Sequence, residues 1–149
     1  MARRLNILLI NHYAGTPSLG MEYRPYYLAR EWVRAGHRVT VVAANFSHVR
    51  THQPQAGEEE VDGITYRWLP TPGYQGNGLG RVRNIWHFLR QVWQRAPALV
   101  AACQPDVVLA SSTYPMDFWV ARRLARLAGA RLVFEVPDLW PASPMQLSG

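Results

Sequence analysis

The feature that most constrains the fold is the alternation of short apolar runs with longer amphipathic segments. An apolar run over residues 5–10 is followed by a glycine-bearing loop, an amphipathic segment over 22–35 that stops at Gly36, and a second apolar run over 38–43. Short apolar runs are typical of buried parallel strands, and apolar residues three and four apart are typical of a helix packed on one face. The pattern therefore predicts a right-handed βαβ unit.

The remainder of the chain repeats this pattern. It predicts a hairpin or bent strand over 58–69, a helix over 79–103, a strand over 106–111, a helix opened by Pro115 and a strand over 131–136. Asp62-Gly63 supplies the turn, Gly129 is expected to end the second of these helices, and Pro97 predicts a break in the first. The predicted fold class is α/β, a Rossmann-like parallel sheet with helices on both faces.

The charge of the chain restricts its partners. Sixteen arginines, with no lysine, stand against ten acidic residues and give a net charge of +6. Such a balance suits anionic partners, including phosphate groups, nucleic acid and acidic lipid headgroups. The arginines are spread along the chain without a dense basic tract, so nucleic acid is not expected as a partner.

Cysteine usage and hydropathy bear on the compartment. Cys103 is the single cysteine, so no disulfide framework exists and a reducing cytoplasm is the simpler location. The apolar segment near the N-terminus is too short for a signal peptide or a membrane span. We therefore expect a cytoplasmic protein.

The first half of the helix predicted over 79–103 has two distinct faces. Apolar residues recur at three- and four-residue spacing, namely Val82, Ile85, Trp86, Leu89, Val92 and Trp93. Basic and polar residues share the other side, among them Arg83, His87 and Arg90. Two interpretations stay open, because packing on the sheet and contact with an anionic bilayer use the same pattern.

Carboxylates follow the last predicted strand. Glu135 and Asp138 should emerge at its carboxyl end, the edge where open α/β sheets bind ligands. Carboxylates accept hydrogen bonds from sugar hydroxyls, and they can act as bases or orienting groups, but Asp138 could instead cap a helix. Ser112 and Thr113, after the neighbouring strand, are expected to cap a helix or contact a ligand.

Motifs of several other functions are missing. Gly15 and Gly20 do not fit G-x-G-x-x-G, so NAD binding is not expected. His48 and His52 are four residues apart but lack a third ligand. The sequence has no Asp-x-Asp pair to hold a nucleotide-sugar through a metal, no P-loop and no Gly-x-Ser-x-Gly. We expect neither a metal nor a cofactor.

Five stretches, in this order, resemble a known family. They are LNILLINHYAG at 5–15, MEYRPYYLAREWVRAGHRVTVVAANFSH at 21–48, YQGNGLGRVRN at 74–84, QPDVVLASSTYP at 104–115 and FEVPDLWPASP at 134–144. Together they resemble the N-terminal half of retaining GT-B glycosyltransferases of the family 4 type, especially bacterial polysaccharide-assembly members. The resemblance spans essentially the whole chain.

The resemblance implies a particular division of labour. In that family two Rossmann-like domains face each other across a cleft, and the C-terminal domain holds the nucleotide-sugar while the N-terminal domain holds the acceptor. Residues 1–149 resemble the N-terminal domain, without the C-terminal one. The implied donor-phosphate loop comprises Gly15, Ser18, Gly20, Tyr23 and Arg24. The implied acceptor-binding residues are His12, Asn77, Gly78, Arg81, Asn84, Ser112 and Thr113.

One residue departs from the family pattern. Pro137 stands where related sequences have a histidine that is thought to contact the transferred sugar. Either His12 replaces that imidazole in space, or backbone carbonyls suffice, or activity is weakened. Glu135 and Asp138 remain the candidate catalytic residues, as positioning and hydroxyl-binding groups rather than an acid/base pair.

The resulting hypothesis is the acceptor-binding half of a retaining glycosyltransferase. It would move a sugar from a nucleotide-sugar to a lipid-linked or polysaccharide acceptor at the inner face of the plasma membrane, and the isolated domain is expected to be inactive. The alternative is a non-catalytic membrane-docking or partner subunit of a split glycosyltransferase. An independent hydrolase or dehydrogenase lacks a supporting triad or cofactor motif.

Overall fold

The computed structural model describes residues 3–19, 23–46, 52–73, 78–111 and 116–135. The strands in these ranges are β1 (Asn6–Ile10), β2 (Arg38–Ala44), β3 (Gly57–Val61), β4 (Ile64–Leu69), β5 (Val107–Ser111) and β6 (Arg131–Glu135). The helices are α1 (Tyr23–Arg34), α2 (Leu79–Cys103) and α3 (Asp117–Ala128), and a short 3-10 turn covers Pro17–Leu19. The alternation of strands and helices expected from the sequence is confirmed.

The strands form one six-stranded sheet in the order β3-β4-β2-β1-β5-β6. Every neighbouring pair is parallel except β3 and β4, which are antiparallel. The predicted α/β class and Rossmann-like sheet are therefore confirmed, with one antiparallel edge strand added. β1 lies at the centre and is apolar on both faces, as a strand covered on both sides must be.

The two faces of the sheet have separate cores. Leu8 and Ile10 point towards α2 and α3, whose Phe88 and Leu124 are fully buried there. Ile7 and Leu9 point the other way and pack with residues of α1 such as Ala29. Because successive side chains of a strand alternate between faces, β1 contributes to both cores. Helices thus cover both faces, as expected.

The turn at Asp62-Gly63 joins β3 and β4 as a hairpin. Asp62 and Gly63 have φ of 52° and 83°, the left-handed pair that a two-residue turn between twisted strands requires. Tyr26 of α1 donates a hydrogen bond to the Asp62 carboxylate, and this bond raises the pKa of Tyr26 above its ordinary value. The hairpin was one of two expected forms, and the bent strand is excluded.

The expected break of α2 at Pro97 is wrong. The helix runs unbroken from Leu79 to Cys103 with Pro97 inside it. Proline has no N–H, so the carbonyl of Trp93 one turn earlier loses its helical donor. Arg123 of α3 supplies a replacement, since its Nε donates to the Trp93 oxygen at 3.1 Å and its guanidinium carbon lies 4.6 Å from the centre of the Trp93 ring. A neighbouring helix therefore compensates the proline.

Replacing Arg123 with alanine should lower the free energy of unfolding by about 1–2 kcal/mol, because the Trp93 carbonyl loses its charged donor. Denaturant unfolding followed by circular dichroism measures this. Arg122 is the matched control, as an exposed neighbour on the same helix, and its alanine variant should change stability by less than about 0.5 kcal/mol. Equal losses in the two variants would rule out the compensation.

Candidate functional site

The sheet has a switch point at the carboxyl ends of β1 and β5. From β1 the chain passes through α1 on one face to β2, and later through α2 on the other face to β5 on the opposite side of β1. Connections that diverge in this way leave a crevice beyond the strand ends, where open α/β sheets bind ligands. His12, just after β1, and Ser111, the last residue of β5, mark its floor, and both are buried.

A buried hydrogen bond joins His12 to α2. His12 and Asn84 are both 0% exposed, and the His12 Nε2 is paired with the Asn84 Oδ1. The imidazole lies stacked between Tyr13 and Phe88, with ring centroids 4.5 and 4.9 Å away. This hydrogen bond therefore links the N-terminal part of α2 to the end of β1.

A third group shows which nitrogen of His12 carries a hydrogen. The Asn84 Nδ2 donates to the carbonyl oxygen of Pro72 at 2.8 Å, and a carbonyl can only accept. This contact fixes the orientation of the amide, so its Oδ1 must accept from His12. His12 therefore carries a hydrogen on Nε2, and that nitrogen is already engaged.

Arg81 lies three residues before Asn84 in α2 and is more accessible to solvent than Asn84. Its Nε donates to the Tyr13 hydroxyl at 3.2 Å, and its guanidinium carbon lies 5.7 Å from the centre of that ring. Tyr13 was not among the site residues expected from the sequence. Its position three residues after the end of β1 could have indicated it, because ligands bind beyond strand ends. Tyr13 contacts both His12 and Arg81, since its ring stacks on the imidazole and its hydroxyl accepts from the guanidinium.

The loop after β1 is anchored to the core on the α1 side of the sheet. Gly15 is buried, and its carbonyl accepts a hydrogen bond from the Tyr66 hydroxyl of β4 at 3.2 Å. The side chains of Thr16 and Ser18 are 3.0 Å apart, and Ser18 is exposed within the 3-10 turn. The loop therefore presents Ser18 to solvent from a backbone that is anchored at Gly15.

An ion pair spans the sheet edge on the α1 side. Arg24, in the first turn of α1, pairs with Glu135, the last residue of β6. The Arg24 side chain is half-exposed, and the Glu135 side chain is mostly buried. The structure thus brings together one residue expected in the donor loop and one expected to be catalytic.

Two helices begin at this edge of the sheet with an arginine in the first turn. No acidic residue lies in the first turn of α1 or α2, and each first turn instead carries an arginine, Arg24 and Arg81. A cation near a helix N-terminus is unfavourable, since the aligned peptide dipoles are positive there. In the described residues no side chain caps α2 at Gly78. The end of α2 is therefore suited to an anionic group, and at the end of α1 the Glu135 carboxylate already pairs with Arg24.

Several expected site residues cannot be placed. Gly20, Asn77, Ser112, Thr113 and Asp138 lie outside the described residues, as does Pro137. The backbone of Tyr23 begins α1. Within the described ranges no group of three or more His, Cys, Asp or Glu side chains could hold a metal ion, and no helix there is long and apolar enough to cross a bilayer.

These features define a class of protein, an α/β domain of Rossmann type with a crevice at the switch point of its sheet. The model of the family described as glycosyl transferase 4-like domain matches residues 20–149. The chain belongs to this family, and the resemblance to family 4 glycosyltransferases is confirmed. A glycosyltransferase-type function, with a nucleotide-sugar donor and an acceptor in general terms, follows from this membership.

The likeness to solved structures concerns the fold alone. Two crystal structures of the C-terminal domain of a hydrogenase from Pyrococcus furiosus, comprising its residues 83–215 and 78–226, resemble the chain with TM-scores of 0.60 and 0.55. The first is 14% identical and covers 91% of this chain and 96% of its own, and the second is 16% identical and covers 87% and 89%. No curated protein matches the sequence significantly.

Proposed function

We propose that the chain is the acceptor-binding half of a retaining glycosyltransferase that moves a sugar from a nucleotide-sugar to a lipid-linked or polysaccharide acceptor. In this proposal residues 1–149 form the N-terminal Rossmann-like domain, and a C-terminal domain holds most of the nucleotide. The observation that carries the proposal is the pair of arginines, Arg24 and Arg81, in the first turns of two helices at the switch point. Family membership supplies the reaction class.

The proposed roles are those that the family resemblance implies. Arg24 and the loop with Gly15 and Ser18 approach the donor phosphates, together with Gly20 and Tyr23. Arg81 and Gly78 contact the acceptor, and the same role is proposed for Asn77, Ser112 and Thr113. Glu135 and Asp138 position sugar hydroxyls as hydrogen-bond acceptors.

His12 and Asn84 act on the acceptor indirectly in this proposal. Both side chains are fully buried and bonded to each other, so neither reaches a ligand in the observed arrangement. They fix the start of α2 relative to β1, and Tyr13 carries that position to Arg81. With the Nε2 of His12 engaged, we do not assign it the role of the family histidine replaced by Pro137.

The proposed chemistry is a same-face substitution at the anomeric carbon. The acceptor hydroxyl oxygen forms a bond to that carbon as the bond to the departing nucleoside diphosphate breaks, and a phosphate oxygen of the leaving group takes the hydroxyl proton. The main demand on the protein is stabilisation of the developing phosphate charge by fixed positive groups. Such a step needs no strong base from this domain, and it would take place at the cytoplasmic face of the membrane.

Saturation-transfer NMR tests the acceptor assignment. The purified chain should show saturation of a short-chain prenyl phosphate and little of UDP-glucose. Arg81→Leu should weaken prenyl phosphate binding at least about tenfold, because a charge-assisted hydrogen bond to phosphate is removed. Arg131, exposed at the opposite edge of the sheet, is the control, and Arg131→Leu should bind as the parent does. Preference for the nucleotide-sugar would refute the assignment.

The alternative is a non-catalytic membrane-docking or partner subunit of a split glycosyltransferase. The observation that favours it is the exposed basic and aromatic surface of α2 and α3. Fusing the chain to the donor-binding domain of a family member separates the two functions. Sugar transfer by the fusion supports the acceptor-binding half, and its absence with all common nucleotide-sugars supports the docking subunit.

A further inference from the structure

The positive charge of the chain is concentrated in one layer of the fold. Helices α2 and α3 lie on the same face of the sheet and together carry seven arginines and one acid, Asp117, which is fully buried. The rest of the chain has nine arginines and nine acids. The whole net charge of +6 therefore belongs to the layer formed by α2 and α3, hereafter the α2/α3 layer.

Exposed apolar side chains are concentrated in the same layer. Ten large apolar side chains of the described residues are exposed, and seven of these lie on α2 or α3. On α2 they are Leu79, Val82, Trp86 and Trp93, which form one stripe. The sequence left open whether this apolar face packs on the sheet or meets a bilayer. In the structure one part of this face packs on the sheet and another part is exposed. Leu89 and Val92 are buried, whereas Trp86 and Trp93 point outward.

A groove runs between the two helices. Its volume is about 740 Å³, and its lining includes Trp86, Trp93 and Trp119, which are 53%, 47% and 59% exposed, with Arg90, Arg122 and Arg126. None of the described residues that line it is acidic. No carboxylate in the described part of the chain pairs with these three arginines, whereas Arg123 is engaged by Trp93.

We infer that the α2/α3 layer is a docking surface for an anionic bilayer, with the groove as its centre. Tryptophan favours the boundary between headgroups and acyl chains, where its ring meets apolar material and its N–H meets water. Arginines of one sign are attracted by the negative surface potential of an anionic leaflet and form paired hydrogen bonds to lipid phosphate. Helices with both features lie in the plane of the interface.

The charge pattern selects the bilayer over a protein partner. Tryptophan and arginine also occur in protein interfaces, where a positive patch meets a matching negative patch on the partner. Here arginines and tryptophans line the same groove, and the excess positive charge is not confined to it but extends over both helices. An extended anionic plane complements that pattern. The inference stands whether or not the proposed sugar transfer is correct.

Docking in this orientation has a consequence for the crevice. Arg81 lies in the first turn of α2, at the carboxyl edge of the sheet, and the stripe of exposed apolar residues starts two positions earlier at Leu79. A bilayer in contact with the stripe therefore lies beside the entrance of the crevice. A lipid-linked acceptor could reach Arg81 without leaving the membrane surface.

Vesicle co-sedimentation tests the docking surface. The purified chain should bind vesicles that contain phosphatidylglycerol and not vesicles of phosphatidylcholine alone, and binding should weaken as salt is added. Each arginine near an anionic surface raises the partition coefficient about fivefold, so Arg122→Gln with Arg126→Gln should lower it about 25-fold. Trp119→Ala should also lower it, by about tenfold or more.

Matched variants elsewhere on the chain serve as controls. Arg38→Gln with Arg131→Gln removes the same charge from exposed strand starts, and Tyr27→Ala removes an exposed aromatic ring from α1. Both should partition within about threefold of the parent. Equal losses in the two arginine pairs would show a response to net charge alone and overturn the assignment. Failure of the parent chain to bind either vesicle type would likewise overturn it and leave the groove to a protein helix.

Discussion

Replacing Asn84 with alanine is expected to lower the free energy of unfolding by about 3 kcal/mol. The side chain is fully buried and serves two groups, accepting from the His12 Nε2 and donating to the Pro72 carbonyl. Each buried polar group that loses its partner costs about 1–3 kcal/mol, and the small cavity adds to this. Urea unfolding would measure the loss as a lower midpoint.

Gln91 provides a matched control on the same helix. Its amide is exposed and also donates to a proline carbonyl, that of Pro70. Gln91→Ala should cost less than about 1 kcal/mol, because water replaces the lost bond. Replacing His12 and Asn84 together with phenylalanine and leucine should cost less than the Asn84 change alone, since the unmatched N–H is gone as well. An Asn84 variant as stable as the Gln91 variant would contradict the role of the pair.

The second large effect is expected at Trp68, which is the largest fully buried side chain of the described residues. Trp68→Ala should lower the free energy of unfolding by about 3–5 kcal/mol through lost apolar burial and the remaining cavity. Trp68 stacks on Tyr66 at 4.9 Å, and Tyr66 holds the Gly15 carbonyl. We therefore also expect faster amide hydrogen exchange in the loop after β1.

Trp119→Ala also removes an indole ring, but from the surface instead of the core. Because Trp119 is 59% exposed, its loss should cost less than about 1 kcal/mol while it weakens binding to anionic vesicles. At temperatures where it is folded, the Trp68 variant should bind vesicles as the parent does. The two variants thus separate stability from docking, and a Trp119 variant that unfolds as readily as the Trp68 variant would refute the separation.

Local patterns in the sequence were sufficient for most of the fold. The bounds of β1, α1 and β2 were predicted to within one residue, because apolar periodicity and Gly36 are local determinants. The Asp62-Gly63 hairpin is local in the same sense. The prediction of a break at Pro97 was wrong because the group that compensates for the proline is distant in sequence. It is an arginine of α3 that lies 26 residues further along the chain.

The candidate site was only partly predictable for the same reason. Strand ends and loop glycines predicted a site at the carboxyl edge of the sheet, and Arg24 and Glu135 meet at that edge. The bond between His12 and Asn84 joins residues 72 positions apart, so no local pattern could show that both would be buried. The exposure of Trp86 and Trp93 was likewise not predictable, since the same apolar pattern includes Leu89 and Val92, which are buried.

The edge strand β3 bears on how copies of the protein behave when they share a surface. Its three consecutive glutamates, Glu58, Glu59 and Glu60, are all exposed, and no other strand of the described residues pairs with the outer side of β3. Confinement to two dimensions raises the encounter rate of molecules and, with it, the hazard of edge-to-edge strand addition. Like charges on an open edge oppose such pairing. We expect a dense film of the protein on a bilayer to remain free of β-aggregates.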